Sequence, residues 1–166
     1  MRFPIVSGRN LSGELFYLPD DFAGKINLVF VAFLQWQQQQ VNTWMPLAAQ
    51  LTAMHPALRD YELPVVRKMS LIRRRMLESG MRGGILDIQT RKKTITVHTD
   101  VPAFVNALGL PGTDTIYTLL LDEEGRVFFC IDGAYIPEKG LALQSALADA
   151  LDSGIQYNHG AFQTHE

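Results

Sequence analysis

Ile26-Asn27-Leu28-Val29-Phe30-Val31-Ala32-Phe33-Leu34, then Gln35 and Trp36, then the four glutamines Gln37, Gln38, Gln39 and Gln40, is the stretch on which the fold turns. The run 26–34 is apolar except for Asn27 and rich in Val, Phe and Ile. β-Branched and aromatic side chains pack well on a pleated surface. A run of this length without polar alternation predicts a strand buried on both faces, the habit of a central parallel sheet. The glutamines mark the end of that strand and the start of a helix.

Outward from this point the pattern alternates. Val41, Trp44, Ala48, Leu51 and His55 recur at three- to four-residue spacing, which predicts a helix over 41–55. Pro46 falls inside it. An interior proline loses a hydrogen bond and clashes with the preceding turn, at about 3 kcal/mol, so a kink is expected there. A strand over 63–69 follows. Ser70 is placed to cap the next helix, whose apolar face is Leu71, Ile72, Met76 and Leu77 and whose end is Gly80. Further on come a strand over 94–99 and a short helix over 101–108. Strands over 115–121 and 126–131 are joined by Asp122-Glu123-Glu124-Gly125, a hairpin signal. Leu143, Leu147 and Leu151 predict a closing helix over 141–151. The segment before Ile26 is rich in turn residues (Pro4, Gly8, Gly13, Pro19), with a short strand over 14–18.

An α/β chain of this order implies parallel strands with right-handed crossovers, plus an antiparallel pair at one edge. The 166 residues suit one domain, expected over 1–152 with a loose polar tail over 153–166.

Composition excludes several classes. Hydrophobic residues make up 47% and charged residues 19%, as in ordinary globular chains. The net charge of −2 gives no global attraction to nucleic acid or acidic lipid. No apolar stretch reaches the about 20 residues that span a bilayer. The segment Met1-Arg2-Phe3-Pro4-Ile5-Val6 lacks the apolar core of a secretory signal. A cytoplasmic location is expected, or a mitochondrial one if a leader has been removed. Cys130 is the single cysteine, so an intrachain disulfide is excluded. The four histidines show no metal-ligand spacing, and no cofactor motif is present, so neither metal nor cofactor is expected.

A buried strand ending at Trp36, a helix containing Pro46, and a strand–Asp122-x-x-Gly125–strand–Gly133–helix ending together resemble the thioredoxin-like superfamily. The resemblance covers roughly residues 3–151. It implies a three-layer sandwich around a central mixed sheet. It also places the family's redox motif after Trp36. Counted forward from Trp36, its two cysteines fall on Gln37 and Gln40. Counted back from Pro46, they fall on Gln38 and Val41. Neither register holds a thiol. The family's cis-proline position falls near Ile116, with the nearest proline at Pro111. Within the superfamily the chain is similar to the ATP synthase assembly factor of mitochondria and its bacterial relatives. These share the Phe3-Pro4 type of opening, the missing redox pair and the closing hairpin–Gly–helix unit.

The candidate sites follow from both readings. Trp36, Gln37, Gln40 and Ile116 outline the vacated redox site. There the free amides of a helix start and the glutamine amides offer a polar groove to a peptide backbone. A solvated loop is the plainer reading of the same residues. Trp36, at a strand–loop junction, is the better contact residue, and Trp44, on the apolar stripe, the better core residue. Residues 67–93 hold nine basic side chains against Glu78 and Asp87, a local +7 that leaves −9 for the remainder. Arg73, Arg74 and Arg75 are the centre of this basic face, which suits an acidic protein partner better than nucleic acid, since no aromatic residues interleave the charges. A solvated helix face is the plainer reading here too. Cys130, within Val127-Phe128-Phe129-Cys130-Ile131, reads as a buried small hydrophobe.

The expected function is a redox-inactive binding or assembly-factor protein with a chaperone-like role and no catalytic residue. The alternative is a peroxidase or other redox enzyme that uses Cys130.

Overall fold

The structure, a computed structural model, describes residues 1–67 and 87–163, with side chains through residue 153. Seven strands form one mixed sheet: β1 Val6–Asn10, β2 Leu15–Leu18, β3 Ile26–Ala32, β4 Leu58–Arg67, β5 Ile95–Thr99, β6 Tyr117–Asp122 and β7 Val127–Asp132. Their spatial order is β2-β1-β5-β4-β3-β6-β7. β3 pairs parallel with β4, and β4 parallel with β5. The β1–β2, β1–β5, β3–β6 and β6–β7 pairs are antiparallel. All seven residues of β3 are buried, as a run apolar on both faces requires.

One face of the sheet carries Val29, Val31, Leu63, Val65, Ile95, Val97, Leu119 and Leu121. Phe3, Phe22 and Phe104 close over it, with Phe3 edge-on to both of the others at 5.7 Å between ring centres. On the other face Phe30 meets Trp44 at 6.1 Å. That face is covered by α1 (Gln38–Asn42) and α2 (Met45–Met54), which bury Val41, Leu47, Ala48 and Leu51. Two further short helices, α3 (Ile88–Lys93) and α4 (Val101–Ala107), are capped by Asp87 and Asp100. Each carboxylate accepts a backbone N–H of the first turn.

Several expectations are revised. The helix expected over 41–55 is two helices, broken at Thr43 and Trp44. Pro46 sits in the first turn of α2, where a missing N–H costs no hydrogen bond, so there is no interior proline kink. β4 begins at Leu58 rather than 63. β1 and α3 were not expected. Ser70 and the helix after it lie outside the described residues.

The chain from Tyr135 onward forms a separate compact unit. It holds α5, Pro137–Gln163, longer at both ends than the expected 141–151, and helical where a loose tail was expected. Its Gly140 leaves room for the Tyr135 ring, which a Cβ would strike.

Candidate functional site

Beyond Ala32 the chain passes through Phe33 and Leu34 into a 3-10 turn, Gln35–Gln37, and then α1. Gln37 is fully buried, so the solvated-loop reading fails for this residue. Its Oε1 accepts from the backbone N–H of Phe33 at 2.8 Å and of Leu34 at 3.2 Å. Its Nε2 donates to the Thr113 carbonyl at 2.7 Å. Two donors on one side and an acceptor on the other admit a single orientation of the amide. Gln37 thus clamps the end of β3 to the loop before β6.

The next glutamines face different surroundings. Gln38 donates to Asn42 Oδ1 at 3.0 Å and to Glu62 Oε1 at 3.1 Å. Glu62 is a buried carboxyl, 5% exposed, whose other oxygen accepts from Thr94 Oγ1 at 3.0 Å. Gln39 is exposed. Gln40 Oε1 lies 3.5 Å from Thr115 Oγ1. The turn at 37–40 and the loop at 113–116 are therefore brought together.

Ile116 is fully buried. The described residues hold a cis peptide at Leu18–Pro19 and none at Ile116. The Ile116 carbonyl accepts from Gly133 N–H at 3.0 Å, and the Gly133 carbonyl accepts from Trp44 Nε1 at 3.0 Å. Gly133 has φ +84°, a left-handed geometry that favours glycine. Trp44 is fully buried, whereas Trp36 is 54% exposed and stands beside Leu34, 46% exposed. Leu34 and Trp36 are both exposed apolar side chains just beyond the end of β3.

Cys130 is exposed, not buried. In β7 the alternate residues Phe128, Cys130 and Asp132 face outward, so an apolar run on this edge strand is only half covered. Partial desolvation pushes the Cys130 thiol up from its ordinary pKa, and the nearby Asp132 charge pushes it further. Both effects oppose the thiolate, the nucleophilic form.

Of the basic stretch, Arg73, Arg74 and Arg75 lie outside the described residues. Arg91, Lys92 and Lys93 form the last turn of α3, the end of a helix that favours cations. Lys93 pairs with Asp60 at 2.7 Å. Among the described residues, no group of three His, Cys, Asp or Glu side chains could hold a metal ion, and no helix is long and apolar enough to cross a membrane.

The sequence reading missed Glu62. No local pattern signals it: Glu62 follows Asp60 by two residues, and an acid at such a position ordinarily faces solvent, so its burial and its partners are visible only in the fold.

No family model matches the sequence, and no curated protein matches it. Solved structures do. The exposed lipoprotein thioredoxin of Streptococcus pneumoniae superposes with a TM-score of 0.54 at 15% identity, over 87% of this chain and 99% of that one. A protein of Chlorobium tepidum assigned as thiol:disulfide interchange protein DsbE gives 0.54 at 15%, over 90% and 95%. BsSco, a member of the Sco family of cytochrome c oxidase assembly proteins, gives 0.56 at 12%, over 87% and 92%. At these identities the likeness is one of architecture: the chain has a thioredoxin-like fold.

Proposed function

We propose that this chain is a redox-inactive thioredoxin-like protein that binds other proteins as a chaperone-like assembly factor. The observation that carries the reading is Gln37. Where the fold's redox motif would begin stands a buried amide, committed to three backbone partners. Thiol–disulfide exchange needs a thiolate to attack a disulfide sulfur, and neither register after Trp36 supplies one. The exposed Trp36 and Leu34 supply the contact surface, since exposed aromatic side chains favour interfaces. The basic residues of 67–93 supply a second surface, for an acidic partner. In its finer form the proposal is a role in ATP synthase assembly. It is supported by the Phe3-Pro4 opening and the hairpin–Gly133–helix ending. A reducing compartment, the cytoplasm or mitochondrial matrix, suits the single cysteine.

The test is an insulin turbidity assay with dithiothreitol as reductant. The purified protein is expected to leave the rate at the reductant-only background. Acceleration above it would refute the redox-inactive reading. Binding is tested by quantitative pull-down against the native source, comparing wild type with Trp36→Ala and with charge reversal of Arg73, Arg74 and Arg75. A partner lost in either variant identifies the surface used.

A further inference from the structure

Lys25 and Arg59 flank a stretch of sequence, 26–58, that holds no Asp, Glu, Lys or Arg. The fold brings these two cations back together. β3 and β4 start side by side, with Ile26 opposite Leu58 and Asn27 opposite Arg59. Both cations line an open hollow of about 450 Å³, together with Ala23, Gly24, Pro56 and Ala57. It lies at the N-terminal end of β3, the opposite end from Trp36, and no acid lines it. One wall is held from within: the buried Asn27 accepts from Gly24 N–H at 2.8 Å and donates to the Gly24 carbonyl at 3.0 Å. A Cβ on Gly24 would strike the Ile26 carbonyl and Asn27 Oδ1. The N–H groups of Lys25 and Ile26 both donate to the Ala57 carbonyl, at 3.0 and 3.2 Å, which ties this wall to the facing one.

We infer that this hollow binds a small phosphate monoester, with the phosphate between Lys25 and Arg59. Three observations select an anion. Neither cation has an acid within ion-pair distance among the described residues. The acids next to them in the sheet are engaged elsewhere: Asp60 by Lys93 at 2.7 Å, and Asp122, opposite Ile26 on β6, by Arg126 at 2.9 Å. Two like charges on one concavity concentrate a positive potential there, although the chain as a whole is at −2. The half-buried Ala57 adds a backbone N–H that has no acceptor among the described residues. Chemistry then narrows the anion. A guanidinium fork, an ammonium and a backbone N–H suit a group with several oxygens. A phosphate monoester carries close to two negative charges at neutral pH and neutralises both cations, whereas a carboxylate leaves one over. The volume is that of a small-molecule site, and Ala23 and Pro56 offer the organic part an apolar wall. The inference uses neither Trp36 nor the turn at 37–40 and stands independently of the proposed binding role.

The experiment is an amide-resolved NMR titration of the full chain at constant ionic strength, with inorganic phosphate, phenyl phosphate and acetate as probes. Shifts that saturate are expected at Gly24, Lys25, Ala57 and Arg59. Phenyl phosphate is expected to bind more tightly than inorganic phosphate, and acetate much more weakly than either. Lys25→Gln and Arg59→Gln, both at exposed positions, are each expected to weaken phenyl phosphate by about tenfold or more. Lys92→Gln, which removes an exposed cation from α3, is expected to leave it unchanged. Unaltered amide positions in the rest of each spectrum confirm that the variants are folded. Shifts that never saturate, or that Lys92→Gln reduces as much as Arg59→Gln, would mean an adventitious ion only and overturn the inference. Acetate binding as well as phenyl phosphate would overturn the choice of phosphate. Inorganic phosphate binding as well as phenyl phosphate would overturn the role of the apolar wall.

Discussion

Gln37 shows how little residue type says without its surroundings. In the sequence it is one of four glutamines, and a polar run after a strand reads as solvated. In the structure it alone is fully buried, because a side chain at this position reaches both the end of β3 and the loop before β6. Replacing Gln37 by Ala strands the buried Phe33 N–H and removes the partner of the half-buried Leu34 N–H and Thr113 carbonyl. The expected cost is about 2–4 kcal/mol, read as a lowered midpoint in urea unfolding with an unchanged slope. An unaltered midpoint would mean that the amide is not the clamp. Cys130 went the other way: an apolar context read as buried, but the residue faces outward. Its accessibility and its chemistry oppose each other. Because desolvation and Asp132 raise its pKa, the thiolate fraction at neutral pH falls below that of a free thiol. Labelling by a thiol reagent is expected to be slow at neutral pH without denaturant, to rise steadily as pH increases toward the raised pKa, and to quicken in Asp132→Asn. Rapid labelling at neutral pH would reopen the peroxidase alternative.

At the scale of elements, the apolar periodicities located the inner strands and most helices, and the errors have local causes. The stripe from Val41 to His55 was genuine, since Val41, Trp44, Ala48 and Leu51 are all buried. Periodicity continues across a short break, so it could not reveal the turn at Thr43 and Trp44. The position of Pro46 decides what that proline does. In the first turn of α2, Pro46→Ala is expected to cost only about 0.4–1 kcal/mol, mainly by loosening the unfolded chain. A stabilisation of about 3 kcal/mol in thermal unfolding would instead mark an interior kink. β1 was unreadable because Gly8 lies in its middle and read as a turn. The glycine serves the sheet, for a Cβ there would run into the Thr96 carbonyl of β5. The edge strand β2 is also finished locally. Asp21 accepts from Tyr17 N–H at 2.6 Å and donates its own N–H to the Tyr17 carbonyl at 2.8 Å, which occupies backbone groups that an edge leaves open.

Across the whole molecule, stability should follow position in the sheet. β3 lies between β4 and β6 and is buried throughout, whereas β2 and β7 are the edges. Native-state hydrogen exchange is expected to be slowest at Leu28, Val29, Phe30 and Val31 and fastest in β2 and β7. Equal protection across the sheet would contradict this ordering. The sequence by itself determined the strand at 26–32 and the hairpin at Asp122–Gly125, hence the α/β fold class, and separately the absence of a redox cysteine pair. Each of these is written in neighbouring residues through periodicity, turn chemistry or a simple count. Only the tertiary structure decided that Gln37 is a clamp, that Glu62 is buried beneath Gln38, that Cys130 faces outward, and that the turn at 37–40 meets the loop at 113–116. Those facts depend on contacts between residues as many as 76 positions apart, and no local pattern encodes which distant partner a polar side chain will find.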